Sequence, residues 1–266
     1  MSEPLVLIHG FTATPRTWSP VLPALQDRHD VHSLGLLGHA GTDPWPDGVE
    51  VGLPGLVDGA ERSLDALGLE TAHLVGNSLG GWVALELAAR GRARSVIALS
   101  PAGGWDAGSP IERKIRKLFL RQHKTLSLSR GRVDGLLKRP RFRKLAFRDV
   151  AVNGDRIPPT EAKAMTEDSL ACPIYFDFLD SVQRSPFGEL AQIECPVLIA
   201  WGTKDRVLPY ASCTERLRRL VPQARWRELP GLGHMPQWDD PDGTARLILD
   251  EVAAASPSPS AAPTSV

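Results

Sequence analysis

Cysteine is scarce in this chain. Cys172, Cys195 and Cys213 are an odd set with no CxxC or Cys/His spacing, so neither a disulfide framework nor a zinc site is expected. Buried free thiols are the expectation instead. Long apolar runs are missing too: nothing approaches the roughly 20 residues needed to cross a bilayer, and "MSEPLVLIHG" has no basic segment leading into an apolar one. This predicts a soluble, cytoplasmic protein without a membrane partner. Cofactor signatures are also absent, with no dinucleotide fingerprint after the first apolar run, no phosphate-binding loop and no metal-ligand cluster. No cofactor and no metal are expected.

Net charge is zero, with 31 Lys and Arg against 31 Asp and Glu, but the balance is uneven along the chain. Residues 111–148 hold 14 Lys and Arg against Glu112 and Asp134, which leaves 17 basic and 29 acidic groups elsewhere. Such a run attracts anions, or it is simply a solvated helix face. No RNA- or DNA-binding motif accompanies it, so no nucleic-acid partner is expected.

What is present is a chain of 266 residues, 42% hydrophobic, enough for one large α/β domain or two small ones. Up to residue 103, the short apolar runs "PLVLIH", "DVHSL", "TAHLVG" and "SVIALS" alternate with helix-like patterns at 54–68 and 79–90. Strands separated by helices predict a mostly parallel sheet flanked by helices. Residues 104–188 change to basic, helix-compatible segments broken at Gly131, Pro140 and Pro158-Pro159, which reads as an insertion. From 189 to 255 the alternation resumes, with "PVLIAW", a helix-like 210–220, "ARWREL" and a helix-like 241–254. Residues 256–266, "SPSPSAAPTSV", read as a disordered tail, and no internal repeat is evident.

The stretch "LVGNSLGGWVAL" puts Ser78 between Gly76 and Gly80, where a strand pattern gives way to a helix pattern. A serine hydroxyl is a weak nucleophile that becomes useful only when exposed beside a base and near donors for an oxyanion. A sharp strand-to-helix turn supplies that exposure, and the glycines leave room for it. An ordinary turn is the rival reading, but "AHLV" before it and "GGWVALELAAR" after it supply the strand–turn–helix context that the nucleophile reading requires.

From these residues the chain resembles the α/β-hydrolase family over about residues 4 to 255, in its serine-nucleophile branch, and three further motifs follow that family's order of serine, acid, histidine. "LIHGFTATPRTW" resembles the loop that donates to the oxyanion, which implies the backbone N–H groups of Phe11 and Leu79 as donors. "WGTKDRVLP" resembles the acid loop and implies Asp205 as the group that orients the base. "GLGHMPQWDDP" resembles the histidine loop and implies His234 as that base. Asp239 and Asp240 compete for the acid's role but are expected to cap the following helix. His9 is assigned to the oxyanion loop, His39 to a loop position often seen in the family, and His73 to a structural strand position.

Most relatives in that family have a β-hairpin before this loop, whereas here the loop starts at residue 9: either the first two strands are lacking or the sequence is trimmed, and in both cases a less protected sheet edge beside "PLVLIH" is expected. Residues 104–188 occupy the place of a helical cap, which should set substrate choice. Trp105, Tyr175, Phe176, Phe178 and Met235 are the candidate pocket residues, with core packing as the rival for the aromatic run "YFDF".

The resemblance implies a serine esterase acting on a small acyl compound through a Ser-His-Asp triad. Three alternatives stand beside it. "GNSLGG" and "HMPQW" are similar to the meta-cleavage-product hydrolases that break carbon–carbon bonds in vinylogous diketones, although "HGFTATPRT" lacks their Gly-rich oxyanion loop. A thioesterase acting on an anionic carrier at the basic run is the second, and a ligand receptor on the same fold is the third. A haloalkane dehalogenase or an epoxide hydrolase is disfavoured, because both use aspartate as the nucleophile where this chain has Ser78.

Overall fold

The computed structural model describes residues 3–131, 133–184 and 187–256. Its centre is a six-stranded sheet of β1 (Pro4–Ile8), β2 (Asp30–Leu34), β3 (Ala72–Asn77), β4 (Ala93–Leu99), β5 (Val197–Gly202) and β6 (Arg225–Leu229). The order across the sheet is β2-β1-β3-β4-β5-β6, and every neighbouring pair is parallel. β3 and β5 are buried throughout, as expected of strands covered by helices on both faces.

Alternation along each strand divides the core into two layers. Val6, Ile8, Leu74, Val96 and Ile199 face one side, where α2 (Leu53–Ala66) and α3 (Leu79–Ala89) pack. Leu5, Leu7, Val75, Ile97 and Leu198 face the other, against α1 (Leu22–Gln26) and α12 (Pro241–Ala255). α12 begins where Asp240 caps it, its side chain accepting the Gly243 N–H at 3.1 Å with Pro241 at the first helical position.

The expected weak edge beside "PLVLIH" is corrected here. β1 lies between β2 and β3, so the outer strand is β2, whose "DVHS" is exposed or half-buried. A short strand carrying charge and polarity suits an edge better than β1 would, since it offers little to an intruding strand. The helix read over 210–220 divides at Thr214 into α9 (Tyr210–Cys213) and α10 (Glu215–Leu220), the Thr214 hydroxyl bonding back to the Tyr210 carbonyl at 3.0 Å. The tail expected from 256 lies outside the described residues except for Ser256, which bonds the Val252 carbonyl.

Between β4 and β5 the chain forms α4 (Pro110–Ser129), α5 (Asp134–Leu137), α6 (Pro140–Ala146), α7 (Pro159–Leu170) and α8 (Tyr175–Arg184). α4 starts on Ser109, whose side chain accepts the Glu112 N–H, and on Pro110. This excursion extends the core of the sheet: Trp105, Ile115, Tyr175, Phe178 and Phe187 belong to the same apolar cluster as α2 and α3. A separate cluster joins Leu137, Phe147, Ile157 and Ala162 to Met235 and to Trp238 on α11 (Pro236–Asp239), the short helix of the histidine loop. Arg216 fastens both ends of the excursion, since its buried guanidinium donates to the carbonyls of Gly103 at 2.6 Å, Phe187 at 2.8 Å and Gly188 at 2.6 Å. Among the described residues no helix is long and apolar enough to cross a membrane.

Candidate active site

β3 ends at Asn77 and α3 starts at Leu79, so the chain reverses within Ser78, whose backbone sits at φ 58°, ψ −118°. A residue with a Cβ is strained there, and the neighbours explain why the turn cannot relax. A Cβ on Gly76 would lie 2.1 Å from the Gly80 carbonyl oxygen, and one on Gly80 would lie 2.2 Å from that of Ile8. Hydrogen bonds hold the turn in place: the Ser78 N–H donates to the Leu99 carbonyl at 2.9 Å, and the Ser78 carbonyl accepts from Gly81, Trp82 and Ala102. Among the described residues the Ser78 hydroxyl makes no hydrogen bond, and it faces a cavity.

The loop after β5 brings Asp205 to His234. Asp205 Oδ2 accepts from His234 Nδ1 at 2.7 Å, while Oδ1 accepts the N–H groups of Val207 at 2.9 Å and Leu208 at 2.8 Å. Both side chains are almost wholly shielded from solvent. A carboxylate so fixed directs the Nδ1 proton toward itself and leaves Nε2 as the basic nitrogen. The two loops approach closely, because a Cβ on Gly202 at the end of β5 would lie 2.1 Å from the Gly233 carbonyl oxygen.

Two residues that the motifs did not single out tie the serine turn to the histidine loop. Asn77 Nδ2 donates to the carbonyls of Leu99 at 3.0 Å and His234 at 2.9 Å, and its Oδ1 accepts from Gln237 at 3.3 Å. Gln237 is fully buried and reaches Thr17 as well. Asp239 is not the cap it was expected to be. Its carboxylate is 1% exposed and accepts the N–H groups of Gly233 and Asn153, each at 2.7 Å, so it clamps the histidine loop to the segment after α6. Val150 adds to that clamp by accepting the Met235 N–H at 2.9 Å. The signal for both was faint, an amide beside the serine and an acid five residues after the histidine.

Among the described residues no other histidine lines the cavity at Ser78. His9 donates from Nδ1 to the Gly10 carbonyl at 2.9 Å and accepts the Leu36 N–H on Nε2 at 2.9 Å, which holds the Gly10–Phe11 turn. Burial pushes its pKa down to about 3, and that of His39 to about 4, so both are neutral. His73 is buried on β3 against Ser95 and Glu3. Burial pushes the Cys172 and Cys213 thiols up to about 12, which keeps them protonated and poor nucleophiles.

The cavity at Ser78 has two limbs. One of about 60 Å³ is walled by Leu79, Trp105, Phe178 and Phe187, and the other, of about 620 Å³, by His234, Met235, Tyr175 and residues of α4 and α6. Phe11 borders both, and neither its N–H nor that of Leu79 is taken by a backbone carbonyl among the described residues. Phe176 belongs to neither limb. It is 51% exposed, its ring packed on His123 and Tyr175, because its position on α8 turns it away from the face that carries Tyr175 and Phe178.

With this geometry in view, a family model described as the alpha/beta hydrolase family matches residues 5–247. The chain belongs to that family. It is 35% identical over 204 residues to an epoxide hydrolase, EphH, of Mycobacterium tuberculosis, covering 76% of this chain and 95% of that one. A 2-hydroxy-6-oxo-6-phenylhexa-2,4-dienoate hydrolase of Burkholderia cepacia is 29% identical over 203 residues, 71% of this hydrolase-family chain and 65% of its relative. Among solved structures, a meta-cleavage product hydrolase of Pseudomonas fluorescens IP01 shares the fold, with a TM-score of 0.70 at 23% identity, over 96% of this chain and 92% of that one.

Proposed function

We propose that this protein is a serine hydrolase that cleaves a carboxylic ester or a related acyl compound. The observation that carries the reading is the strained Ser78 turn sharing one cavity with a His234 whose Nδ1 is held by a buried Asp205. In the proposed reaction Ser78 Oγ attacks the carbonyl carbon as its proton passes to His234 Nε2. The carbonyl electrons move onto oxygen, which the N–H groups of Phe11 and Leu79 receive. Collapse of that intermediate breaks the bond to the leaving oxygen, which takes the proton from His234 and departs as the alcohol. Water then repeats the sequence on the acyl-serine, with His234 again accepting and returning a proton. No metal or cofactor enters these steps.

The resemblance to an epoxide hydrolase is weighed by the same chemistry. A serine that opened an epoxide would be left as an ether, which has no carbonyl for water to attack, so turnover would stop after one event. A carbon–carbon hydrolase needs no change in the residues and is the second reading, supported by the likeness to the dienoate hydrolase.

A parallel assay of p-nitrophenyl acetate, an aryl epoxide and a dienoate ketone tests the proposal, together with labelling by a fluorophosphonate. Ester turnover and a label on Ser78, both lost in Ser78→Ala, are expected, with a fall in kcat of about 10⁶-fold. Epoxide turnover that survives in Ser78→Ala would overturn it.

A further inference from the structure

The two limbs differ about tenfold in volume, about 60 against about 620 Å³, and Ser78 lines both. The catalytic geometry proposed above says which end of a substrate each limb takes. His234 lines only the large limb, and Leu79 only the small one. The imidazole must hand its proton to the leaving oxygen, so the leaving group has to lie on the His234 side. The acyl chain is then directed past Leu79 into the limb of about 60 Å³.

That small limb has little freedom to expand. Phe187 packs edge-on against Trp82 at 5.0 Å and Trp105 at 5.3 Å, and Phe178 lies 4.9 Å from Phe11. Arg216 pins the backbone on both sides of this wall, through Gly103 two residues before Trp105 and through Phe187 itself. Gly104 is equally confined, because a Cβ there would lie 1.7 Å from the Cys213 carbonyl oxygen. Three charge-assisted bonds from one buried guanidinium make this a stiff wall. The large limb is of another character: Leu137, Phe147 and Met235 supply apolar surface, while Arg121, Ser129 and Arg148 supply polar groups.

We infer that the substrate is an ester of a short, apolar acyl group with a bulky amphipathic alcohol, and that Trp105, Phe178 and Phe187 set the limit on acyl length. The inference rests on the serine-hydrolase reading and narrows it. It excludes long-chain fatty esters whose acyl tail would need the small limb.

The test varies one end of the ester at a time. For wild-type protein, kcat/KM should fall at least about tenfold from p-nitrophenyl butyrate to octanoate, since even one surplus methylene against a stiff apolar wall costs that order of discrimination. Phenyl and naphthyl acetates, which enlarge only the alcohol, should be turned over within about threefold of each other, because that group meets the large limb. Phe178→Ala should raise the octanoate-to-acetate ratio about tenfold by opening the small limb. Phe178→Leu keeps more of the packing and should move the ratio the same way. Octanoate turned over as well as acetate by wild type, or an unmoved ratio in both folded variants, would overturn the inference while a fluorophosphonate label on Ser78 upheld the parent reading. Absence of that label along with all ester turnover would overturn both.

Discussion

Asn77 Nδ2 donates to the carbonyl of His234 at 2.9 Å, so the residue before the candidate nucleophile holds the backbone of the candidate base. Removing the amide leaves the buried His234 carbonyl without this donor, while the Leu99 carbonyl keeps the Ser78 N–H. Asn77→Ala should therefore lose about 1–3 kcal/mol in urea unfolding, the cost of an unsatisfied buried polar group. Activity should fall about 10- to 100-fold as His234 drifts from Ser78. Wild-type kcat in a destabilised Asn77→Ala would show that the contact serves stability only.

Asp205→Asn should fold but lose about 10⁴-fold in kcat. The N–H groups of Val207 and Leu208 demand an acceptor at Oδ1, so the new amide must turn its NH₂ toward His234 Nδ1. That forces the imidazole proton onto Nε2, where it blocks transfer from Ser78. Equal kcat for wild type and Asp205→Asn on an ester would remove Asp205 from the mechanism.

Acid should destabilise the fold earlier than carboxylate titration alone would. His9 and His39 are held neutral by burial, with values near 3 and 4 in the folded chain against 6.5 when unfolded. Between pH 6.5 and 4 the unfolded state binds more protons than the folded one, so the stability present above that window is lost as pH falls. The slope approaches about 1.4 kcal/mol per pH unit for each histidine. Urea midpoints at pH 7, 6 and 5 measure this, and His39→Gln should flatten the decline. Identical midpoints at pH 7 and 5 would sink the argument.

The basic stretch 111–148 is less free than its composition suggested. Arg143 is buried and donates to the carbonyls of Leu137 and Asp155, and Arg116 meets Asp180 at 2.6 Å. Lys114, Lys117 and Lys124 on α4 remain exposed. If they draw in an anionic substrate or carrier, kcat/KM for it should fall with salt, screened over about 10 Å at 0.1 M, while a neutral ester is indifferent. Reversing the three lysines to Glu should weaken only the anionic substrate. Parallel salt profiles for both substrates would leave α4 as a solvated face.

Much of the fold was legible along the chain because its signals are local. The strands that became β1 to β6 and the helices α2, α3 and α12 announced themselves by apolar period, and the turn at Ser78 by the Gly76 and Gly80 spacing, which backbone sterics alone require. The break at Thr214 and the half-exposed Phe176 do not follow from apolar period, because a hydroxyl bonding back to the Tyr210 carbonyl ends the first turn and the aromatic run does not say which of its rings faces the core. Tertiary structure alone decided that β1 lies inside the sheet with β2 at its edge, that Asp239 clamps Gly233 to Asn153 and caps nothing, and that Arg216 joins Gly103 to Phe187. Those relationships link residues far apart in the chain, and their partners are selected by the order in which the strands assemble. Period and spacing describe what one segment buries; which distant backbone it meets depends on the whole sheet.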